Sequence, residues 1–267
     1  MDLSIKAFGT IGRFWRTHVR KFGIYEIVVP EETTPSRTVP DSIEFPDYIS
    51  GKLLIIPKSP EVKDAEQLEG MRQSCKIASS ILHKMQTFIK PCITTDKIDE
   101  LVHRLSIEAG AYPSPLHYKG FPKSVCTSVN NVAVHGIPDL RALQDGDIVN
   151  VDITAIKHCG PDVPFREIGA RIYRRAKRNG LTVLPAFVGH GIGKYFHGPP
   201  EIYHSKNRYP GLMKPGMTFT IEPALSHGSE NTVILEDGWT VITEDGSRAA
   251  QAEHTILITE HGAEILT

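Results

Sequence analysis

The chain has 267 residues, of which 40% are hydrophobic and 23% are charged, as in ordinary globular proteins of one or two domains. This composition excludes a collagen, a coiled coil and a wholly disordered chain. The formal net charge of -1 offers no positive excess for nucleic acid or anionic lipid, so we expect neither as a partner. No apolar run is long enough to predict a transmembrane segment. The four cysteines lack metal-finger spacing, which predicts reduced thiols: Cys75, Cys92, Cys126 and Cys159.

Residues 1–25 form a basic, acid-poor segment. They carry five Lys and Arg residues and a single Asp, a net charge of +4. Apolar residues from Ile5 to Phe22 recur at steps of three and four, so a helix here would have one apolar and one basic face. This pattern is typical of a mitochondrial transit peptide, and the alternative is a surface helix of the mature protein. We favour the transit peptide and a mitochondrial location, with a cytoplasmic location as the alternative.

Residues 26–63 are rich in proline and threonine. They predict either an extended linker or an arm that wraps around the folded part of the chain. The folded domain is predicted to span residues 64–267.

Three helices are predicted in this domain. An apolar stripe from Leu68 to Met85 predicts the first helix, and Asp64 and Gln67 have the spacing of a capping box. A second helix is predicted from Thr95 to Ala109, before Gly110. The third is predicted to start with Pro164 in its first turn and to end at Asn179-Gly180.

Strands dominate the rest of the domain. Alternation of apolar and polar residues predicts half-buried strands at 149–154 and 217–221. A short buried strand is predicted at 181–188, and a final strand at 249–259. Helices first and strands later predict an α+β fold around a mostly antiparallel sheet.

Three acidic residues lie on the polar side of these predicted strands: Asp152, Glu222 and Glu253. A carboxylate with apolar neighbours needs a partner because its desolvation is costly. Between these acids lies a glycine-rich segment, residues 189–193, that contains His190. Three acids and a histidine fit a metal site better than three satisfied edge residues. A phosphate loop is excluded because the glycines lack the required spacing and no helix pattern follows.

Several blocks of sequence resemble the type I methionine aminopeptidases, above all their mitochondrial form. These blocks are HGIPD (135–139), LQDGDIVNVDIT (143–154), VGHGIGKYFHGPPEI (188–202), MKPGMTFTIEP (213–223) and AQAEHTILIT (250–259), with SPLHYKGFPKSVCTSVNN (114–131) similar to the family's pocket segment. The resemblance implies the pita-bread fold, with helices outside an antiparallel sheet. It also implies removal of the initiator methionine from polypeptide N-termini, a co-translational contact with the ribosome as a possible partner, and a monomer.

The resemblance also assigns roles to residues. The metal ligands would be Asp152, His190, Glu222 and Glu253, holding normally two divalent ions of cobalt, manganese, iron or zinc. The catalytic residues would be His135, His197 and Glu222, of which both histidines also contact the substrate. The pocket for the methionine side chain would be lined by Tyr118, Phe121, Cys126, Phe196 and Trp239.

One ligand of the family is missing from its expected place. The family has a second Asp that bridges the two metals, on a strand for which the sequence predicts no counterpart between Thr154 and Pro164. The first half of the fold is therefore predicted to lack a strand and a helix. Asp162 is an alternative ligand, but Gly160-Pro161-Asp162 is more typical of a turn before a helix.

The missing ligand predicts weak or no aminopeptidase activity. One metal position keeps His190, Glu222 and Glu253, whereas the other keeps only Asp152 and Glu253. The alternative function is a pseudoenzyme that binds peptides, or a truncated isoform. A prolidase-like enzyme is less favoured because the pocket segment matches the methionine-specific family.

Overall fold

A computed structural model describes residues 25–50, 55–150 and 159–267 of the chain. Four α-helices and one 3-10 turn lie in these ranges: α1 (Asp47–Ser50), α2 (Ala65–Phe88), α3 (Thr95–Glu108), the 3-10 turn Tyr118–Gly120 and α4 (Arg166–Arg178).

The predicted helices are confirmed, with one correction at a terminus. Asp64 and Gln67 form the predicted capping box at the start of α2, each side chain accepting a hydrogen bond from the other residue's backbone N–H. The third predicted helix, α4, begins at Arg166, so Pro164 lies before it. Pro164 instead forms an isolated antiparallel bridge with Leu212, which holds it outside the helix.

The described strands form three antiparallel sheets. They are β1 (Val132–Val134), β2 (Thr182–Val183), β3 (Val188–Gly191), β4 (Gly198–Tyr203), β5 (Thr218–Ile221), β6 (Ala224–Ser226), β7 (Thr232–Ile234), β8 (Val241–Thr243), β9 (Ala249–Gln251), β10 (His254–Thr259) and β11 (Gly262–Ile265). The largest sheet has the order β11-β10-β5-β3-β4, and the two smaller ones have the orders β1-β8-β7 and β2-β6-β9.

Two predicted strands are each divided in the structure. The segment 181–188 contains the whole of β2 and only the start of β3, with a turn at Pro185-Ala186 between them, because proline has no N–H for a ladder. The segment 249–259 contains β9 and β10, which belong to different sheets. The strand predicted at 149–154 lies largely outside the described residues, and Val149 forms a bridge with Val129.

The strand predicted at 217–221 differs in its burial. All four residues of β5 are buried, so the prediction of a half-buried strand was wrong. β5 lies between β10 and β3, which pair both of its edges, and Phe219 and Ile221 pack in the hydrophobic cluster that includes α4. The polar residues on its other face are buried with hydrogen-bond partners, because the hydroxyls of Thr218 and Thr220 donate to Ile192 and Glu222.

Two main hydrophobic clusters support the fold. The first joins α4 to the five-stranded sheet and includes Phe165, Ile172, Phe219 and Ile256. The second joins α2 and α3 to the small sheet of β1, β8 and β7, and residue Val28 of the arm belongs to it. Helices thus lie outside antiparallel sheets, as the sequence predicted.

The first half of the described chain carries far less sheet than the second. β1 is its only strand among the described residues before 159, whereas the five-stranded sheet is built entirely from residues after 187. Helix α2 has 24 residues, yet only Cys75 and Met85 are buried, and Leu82 of its apolar stripe is 46% exposed. An apolar stripe without cover is what the predicted loss of a strand and a helix would leave.

The described part of residues 26–63 follows the surface of the domain as an extended arm. The backbone N–H of Val28 donates to Asn131, that of Glu31 donates to Asp139, and the carbonyl oxygen of Glu32 accepts from Leu140. The boundaries between transit peptide, arm and domain stay predictions, and residues 1–24 lie outside the described ranges. Within those ranges, no helix has the length and apolar character needed to cross a membrane.

Candidate metal centre and substrate cleft

Three predicted ligands meet at one point of the largest sheet. His190 lies on β3, Glu222 follows the last residue of β5, and Glu253 precedes the first residue of β10. Their ligand atoms all lie within 4.8 Å of one another, and His190 Nε2 is 3.4 Å from Glu222 Oε1. One imidazole and two carboxylates suit manganese, iron, cobalt or zinc, so this donor set fits a divalent ion.

Two glycines allow His190 to reach this point. A methyl group on Gly189 would lie 2.2 Å from the carbonyl oxygen of Thr220, and one on Gly191 would lie 2.0 Å from that of Pro199. Only glycine tolerates such close approach of two backbones. The glycine-rich segment therefore serves the packing of β3 against its two neighbouring strands.

Hydrogen bonds fix the orientation of the Glu222 carboxylate. The Thr220 hydroxyl donates to Oε1 at 2.8 Å, and the Gln251 amide donates to Oε2 at 3.0 Å. The same Thr220 hydroxyl accepts from the backbone N–H of His190 at 2.9 Å. Thr220 is fully buried and so connects two predicted ligands through one side chain.

His204 holds the backbone of Glu222 through a hydrogen bond. Its Nδ1 donates to the carbonyl oxygen of Phe187 at 3.1 Å, and its Nε2 accepts from the N–H of Glu222 at 3.1 Å. Burial lowers the pKa of His204 to about 4, which keeps the ring in the neutral form that this pair of bonds requires.

The electrostatics of the site favour neutral imidazoles. Burial lowers the pKa of His190 to about 4, and a neutral ring is the form that binds a metal ion. For His197, burial and the neighbouring charges of His190, Lys119 and His135 lower the pKa to about 3. Desolvation raises the pKa of Glu253 to about 7 even though its side chain reaches solvent, as expected for a carboxylate on the floor of a cleft.

One side of this cleft is formed by three predicted site residues. The Tyr118 hydroxyl lies 2.9 Å from His197 Nδ1, and the Tyr118 and Phe196 rings meet edge to face at 4.8 Å. The His197 ring centroid is 4.0 Å from that of His190. The structure thus places Tyr118, Phe196 and His197 directly beside the ligand cluster.

The other side is formed by a second aromatic group. Phe121 is buried and meets Trp239 edge to face at 5.2 Å, and Trp239 is 6.0 Å from the His135 ring. His135 follows β1 with a left-handed backbone (φ 55°), and burial lowers its pKa. Cys126 has an exposed side chain near the Glu253 carboxylate, and desolvation together with that charge raises the pKa of its thiol to about 12.

The two aspartates considered as ligands have different outcomes. Asp152 lies outside the described residues. Asp162 lies in the predicted turn, has a left-handed backbone (φ 59°) and is exposed, and its N–H donates to the carbonyl oxygen of Met213. Among the described residues, the metal-binding group consists of His190, Glu222 and Glu253 and does not include Asp162.

Sequence reasoning missed three polar residues that hold Glu222: Thr220, His204 and Gln251. Thr220 was assigned only as an alternating strand residue, and His204 was considered only as part of a loop. Gln251 lies two residues before Glu253 in the AQAEHT block, and residues two apart in a strand point to the same side. This spacing was a signal that could have placed Gln251 at the site.

An antiparallel sheet that presents one imidazole and two carboxylates to a cleft indicates a metal-dependent hydrolase. The model of metallopeptidase family M24 matches residues 69–160 and 153–260. Methionine aminopeptidase 1D, mitochondrial, from Danio rerio is 44% identical, covering 95% of this chain and 85% of its own. The human protein of the same name is also 44% identical, covering 91% and 84%.

Solved structures agree with these sequence matches. The methionine aminopeptidase from Rickettsia prowazekii superimposes with a TM-score of 0.74 at 34% identity, covering 78% of this chain and 99% of that one. The prolidase from Pyrococcus furiosus, at 20% identity and a TM-score of 0.55, shares the fold alone. The chain therefore belongs to metallopeptidase family M24 and, within it, to the methionine aminopeptidases, which are metalloaminopeptidases with the pita-bread fold.

The matches also bear on the missing segment. The alignment with the Danio rerio relative runs over 293 positions, whereas 95% of the 267 residues is about 254, so about 39 positions of the alignment have no residue of this chain. The family model matches in two stretches that meet at residues 153–160, where the sequence predicts the loss of a strand and a helix. Both observations support that prediction.

Proposed function

We propose that this chain removes N-terminal methionine from polypeptides in mitochondria. The observation that carries the proposal is the group of His190, Glu222 and Glu253, with the His197 ring centroid 4.0 Å from that of His190 and aromatic rings beside the cleft. Aromatic side chains and a thiol suit the flexible, polarizable thioether of methionine. Two observations support the mitochondrial location. One is the basic N-terminal segment, and the other is that three vertebrate relatives are named as mitochondrial methionine aminopeptidases.

The residues of the site have separate roles in metal binding and proton transfer. His190, Glu222 and Glu253 would hold one divalent ion, and Asp152 with Glu253 would hold a second. A bound ion supplies a water molecule of lowered pKa and polarises the scissile carbonyl. The Glu222 carboxylate, fixed by Thr220 and Gln251, takes the proton of the attacking water and returns it to the leaving amine.

The two other histidines stabilise the charge that develops on the substrate. The Tyr118 hydroxyl holds Nδ1 of His197, which leaves Nε2 for the scissile amide. His135 approaches from the opposite side, where Trp239 and Phe187 fix the plane of its ring. Metal identity among cobalt, manganese, iron and zinc, contact with the ribosome and the monomeric state stay predictions.

The test is methionine release from a Met-Ala-Ser peptide by protein that is stripped of metal and then supplied with manganese or cobalt. We expect release that depends on metal and falls at least about 100-fold in Glu222→Ala, because the proton acceptor and a ligand are lost together. Glu201→Ala is the matched control, since Glu201 pairs with His190 across β3 and β4 but is exposed.

Two outcomes would contradict the proposal. A folded sample that releases no methionine with either metal would show that the missing segment has removed the chemistry. Equal loss in Glu222→Ala and Glu201→Ala would show that the cluster is not the active centre. The alternative of a peptide-binding pseudoenzyme has no support from the relatives, which are named as aminopeptidases.

A further inference from the structure

An aromatic residue of the N-terminal arm packs against the predicted methionine pocket. Tyr48, on the short helix α1, meets the Tyr118 ring edge to face at 5.2 Å. Its ring also lies nearly parallel to that of Phe196, with centroids 6.2 Å apart. Both partners belong to the predicted pocket lining, so the arm contributes a third ring to one side of the cleft.

Tyr48 is held in this position at its far end. Its hydroxyl donates to the carbonyl oxygen of Ser114 at 2.9 Å, and Ser114 opens the same pocket segment that contains Tyr118. Desolvation raises the pKa of Tyr48 to about 12, so the hydroxyl stays protonated as a donor. The Tyr48 side chain is therefore held at both its ring and its hydroxyl, and it connects the arm to the pocket segment.

The rest of the arm is anchored by buried charges. Arg37 contacts Asp96 at 3.0 Å and Asp99 at 2.7 Å, and the fully buried Lys123 donates to Asp96 at 2.7 Å. Lys123 lies in the pocket segment between Phe121 and Cys126. The arm, helix α3 and the pocket segment are therefore joined by one group of charges.

A short series of contacts leads from Tyr48 to the metal ligands. Tyr48 packs on Tyr118, the Tyr118 hydroxyl holds His197 Nδ1 at 2.9 Å, and the His197 ring lies 4.0 Å from that of His190. Removal of the Tyr48 ring would free one face of Tyr118 and loosen the ring that orients His197.

We propose that Tyr48 is a positioning residue that forms the outer wall of the methionine pocket, so that the arm is part of the substrate-binding unit. This inference rests on the proposed function, because it takes Tyr118 and Phe196 as the lining of that pocket. It adds that residues outside the predicted domain of 64–267 determine the affinity for the substrate's first side chain.

Three variants separate this role from simple attachment of the arm. Tyr48→Ala removes the ring, whereas Tyr48→Phe keeps the ring and loses the hydrogen bond to Ser114. Phe45→Ala is the matched control, because Phe45 lies on the same arm and packs against Tyr112, with centroids 5.3 Å apart. An effect of arm attachment alone would be similar in Phe45→Ala and Tyr48→Ala.

The first measurement is calorimetric binding of L-methionine to the full chain loaded with manganese. We expect Tyr48→Ala to weaken binding about three- to tenfold, and Tyr48→Phe and Phe45→Ala to remain within about twofold of the parent. With the Met-Ala-Ser peptide, the same loss should fall on KM while kcat stays within about twofold. Unchanged affinity in Tyr48→Ala, or an equal loss in Phe45→Ala, would overturn the proposal.

The second measurement does not require activity. The carbon–proton resonance of the His197 ring, assigned with His197→Asn, should shift in Tyr48→Ala and stay in place in Phe45→Ala. If the parent neither binds nor releases methionine, the proposed function fails, and this resonance still decides whether Tyr48 positions Tyr118 and His197. A His197 resonance that is unmoved in Tyr48→Ala would contradict the proposed role of Tyr48.

Discussion

Helices α2 and α4 occupy comparable places outside their sheets, but only α4 is well covered. Of its 13 residues, Ile168, Gly169, Ile172 and Ala176 are buried against the five-stranded sheet. Helix α2 is nearly twice as long, yet buries only Cys75 and Met85. Among the described residues, those around α4 thus pack closely, whereas those around α2 leave much of its apolar stripe exposed.

The predicted metal ligands divide in the same way. His190, Glu222 and Glu253 all come from the covered half and are brought together in the structure. Of the other half, the predicted ligand Asp152 lies outside the described residues, and the sequence predicts that the bridging Asp of the family is missing. The comparison teaches that the three candidate ligands of the described chain are brought together by segments after residue 187 alone.

The largest expected effect is a difference between the two halves in how much a substitution lowers the free energy of unfolding. Phe219→Ala, in the fully buried centre of β5, should lower the free energy of unfolding by about 3–5 kcal/mol, because it leaves a cavity in a close-packed core. Leu82→Ala on α2 should change it by no more than about 0.5 kcal/mol, because that side chain is 46% exposed. Urea denaturation of both variants checks the comparison. Equal losses would show that α2 is covered in solution.

The next effect concerns the charges that hold the arm to α3. Burial alone would raise the pKa of Asp96, but hydrogen bonds from Arg37, Lys123 and Thr34 outweigh it and hold that pKa far below the ordinary value of 3.8. A carboxyl whose pKa is lowered by folding stabilises the fold above pH 3.8, and this contribution is lost as the pH falls towards the folded value.

Asp96→Asn tests this pH dependence. At pH 7 the variant should be less stable by about 1.5–3 kcal/mol, the size of a charge-assisted hydrogen bond. The difference from the parent should shrink as the pH drops below 3.8. Thermal unfolding of both proteins from pH 7 to pH 3 measures it, with Glu108→Gln as a control because the Glu108 ion pair with Arg104 is exposed. If the difference in stability between the parent and Asp96→Asn grew as the pH fell, the result would contradict the predicted role of Asp96.

A smaller effect is expected from repair of the incomplete half. Insertion, at residues 153–160, of the segment of the Danio rerio relative that has no counterpart there should raise methionine release by about tenfold, or ~1.4 kcal/mol of activation free energy. The gain is expected because the insertion supplies both the bridging ligand and the cover for α2.

A control distinguishes these two causes. The same insertion with its bridging Asp changed to Ala restores the cover without the ligand. It should increase stability while leaving methionine release near the level of the parent. If the parent already matches the repaired protein in methionine release, then three ligands from one half suffice, and the predicted weakness of the chain is wrong.

The sequence predicted the helices well because their start and stop signals are local. The capping box at Asp64 and Gln67 and the glycine after α3 are local signals that the structure confirms. His190, Glu222 and Glu253 were found because their residue types and their positions near strands are unusual. Their roles as metal ligands stay a prediction, although the structure brings the three together.

What the sequence did not predict depends on tertiary pairing. A run of alternating residues at 249–259 has no local signal that β9 and β10 belong to different sheets. The burial of β5 on both faces depends on the cluster with α4 on one face and on the hydrogen bonds of Thr218 and Thr220 on the other. The contact between Tyr48 and Tyr118 joins residues 70 positions apart in the chain, and no periodic pattern encodes it.

The strand order places Glu222 and Glu253 differently from His190. Glu222 lies between β5 and β6, and Glu253 lies between β9 and β10, so both carboxylates lie where the chain passes between the same two sheets. His190 lies within β3, so only the hydrogen-bond ladder of the largest sheet sets its position. A small rotation of one sheet against the other would displace both carboxylates relative to the imidazole. The affinity for a metal ion would then depend on how the two sheets pack, and substitutions remote from every predicted ligand would weaken it without changing a donor atom.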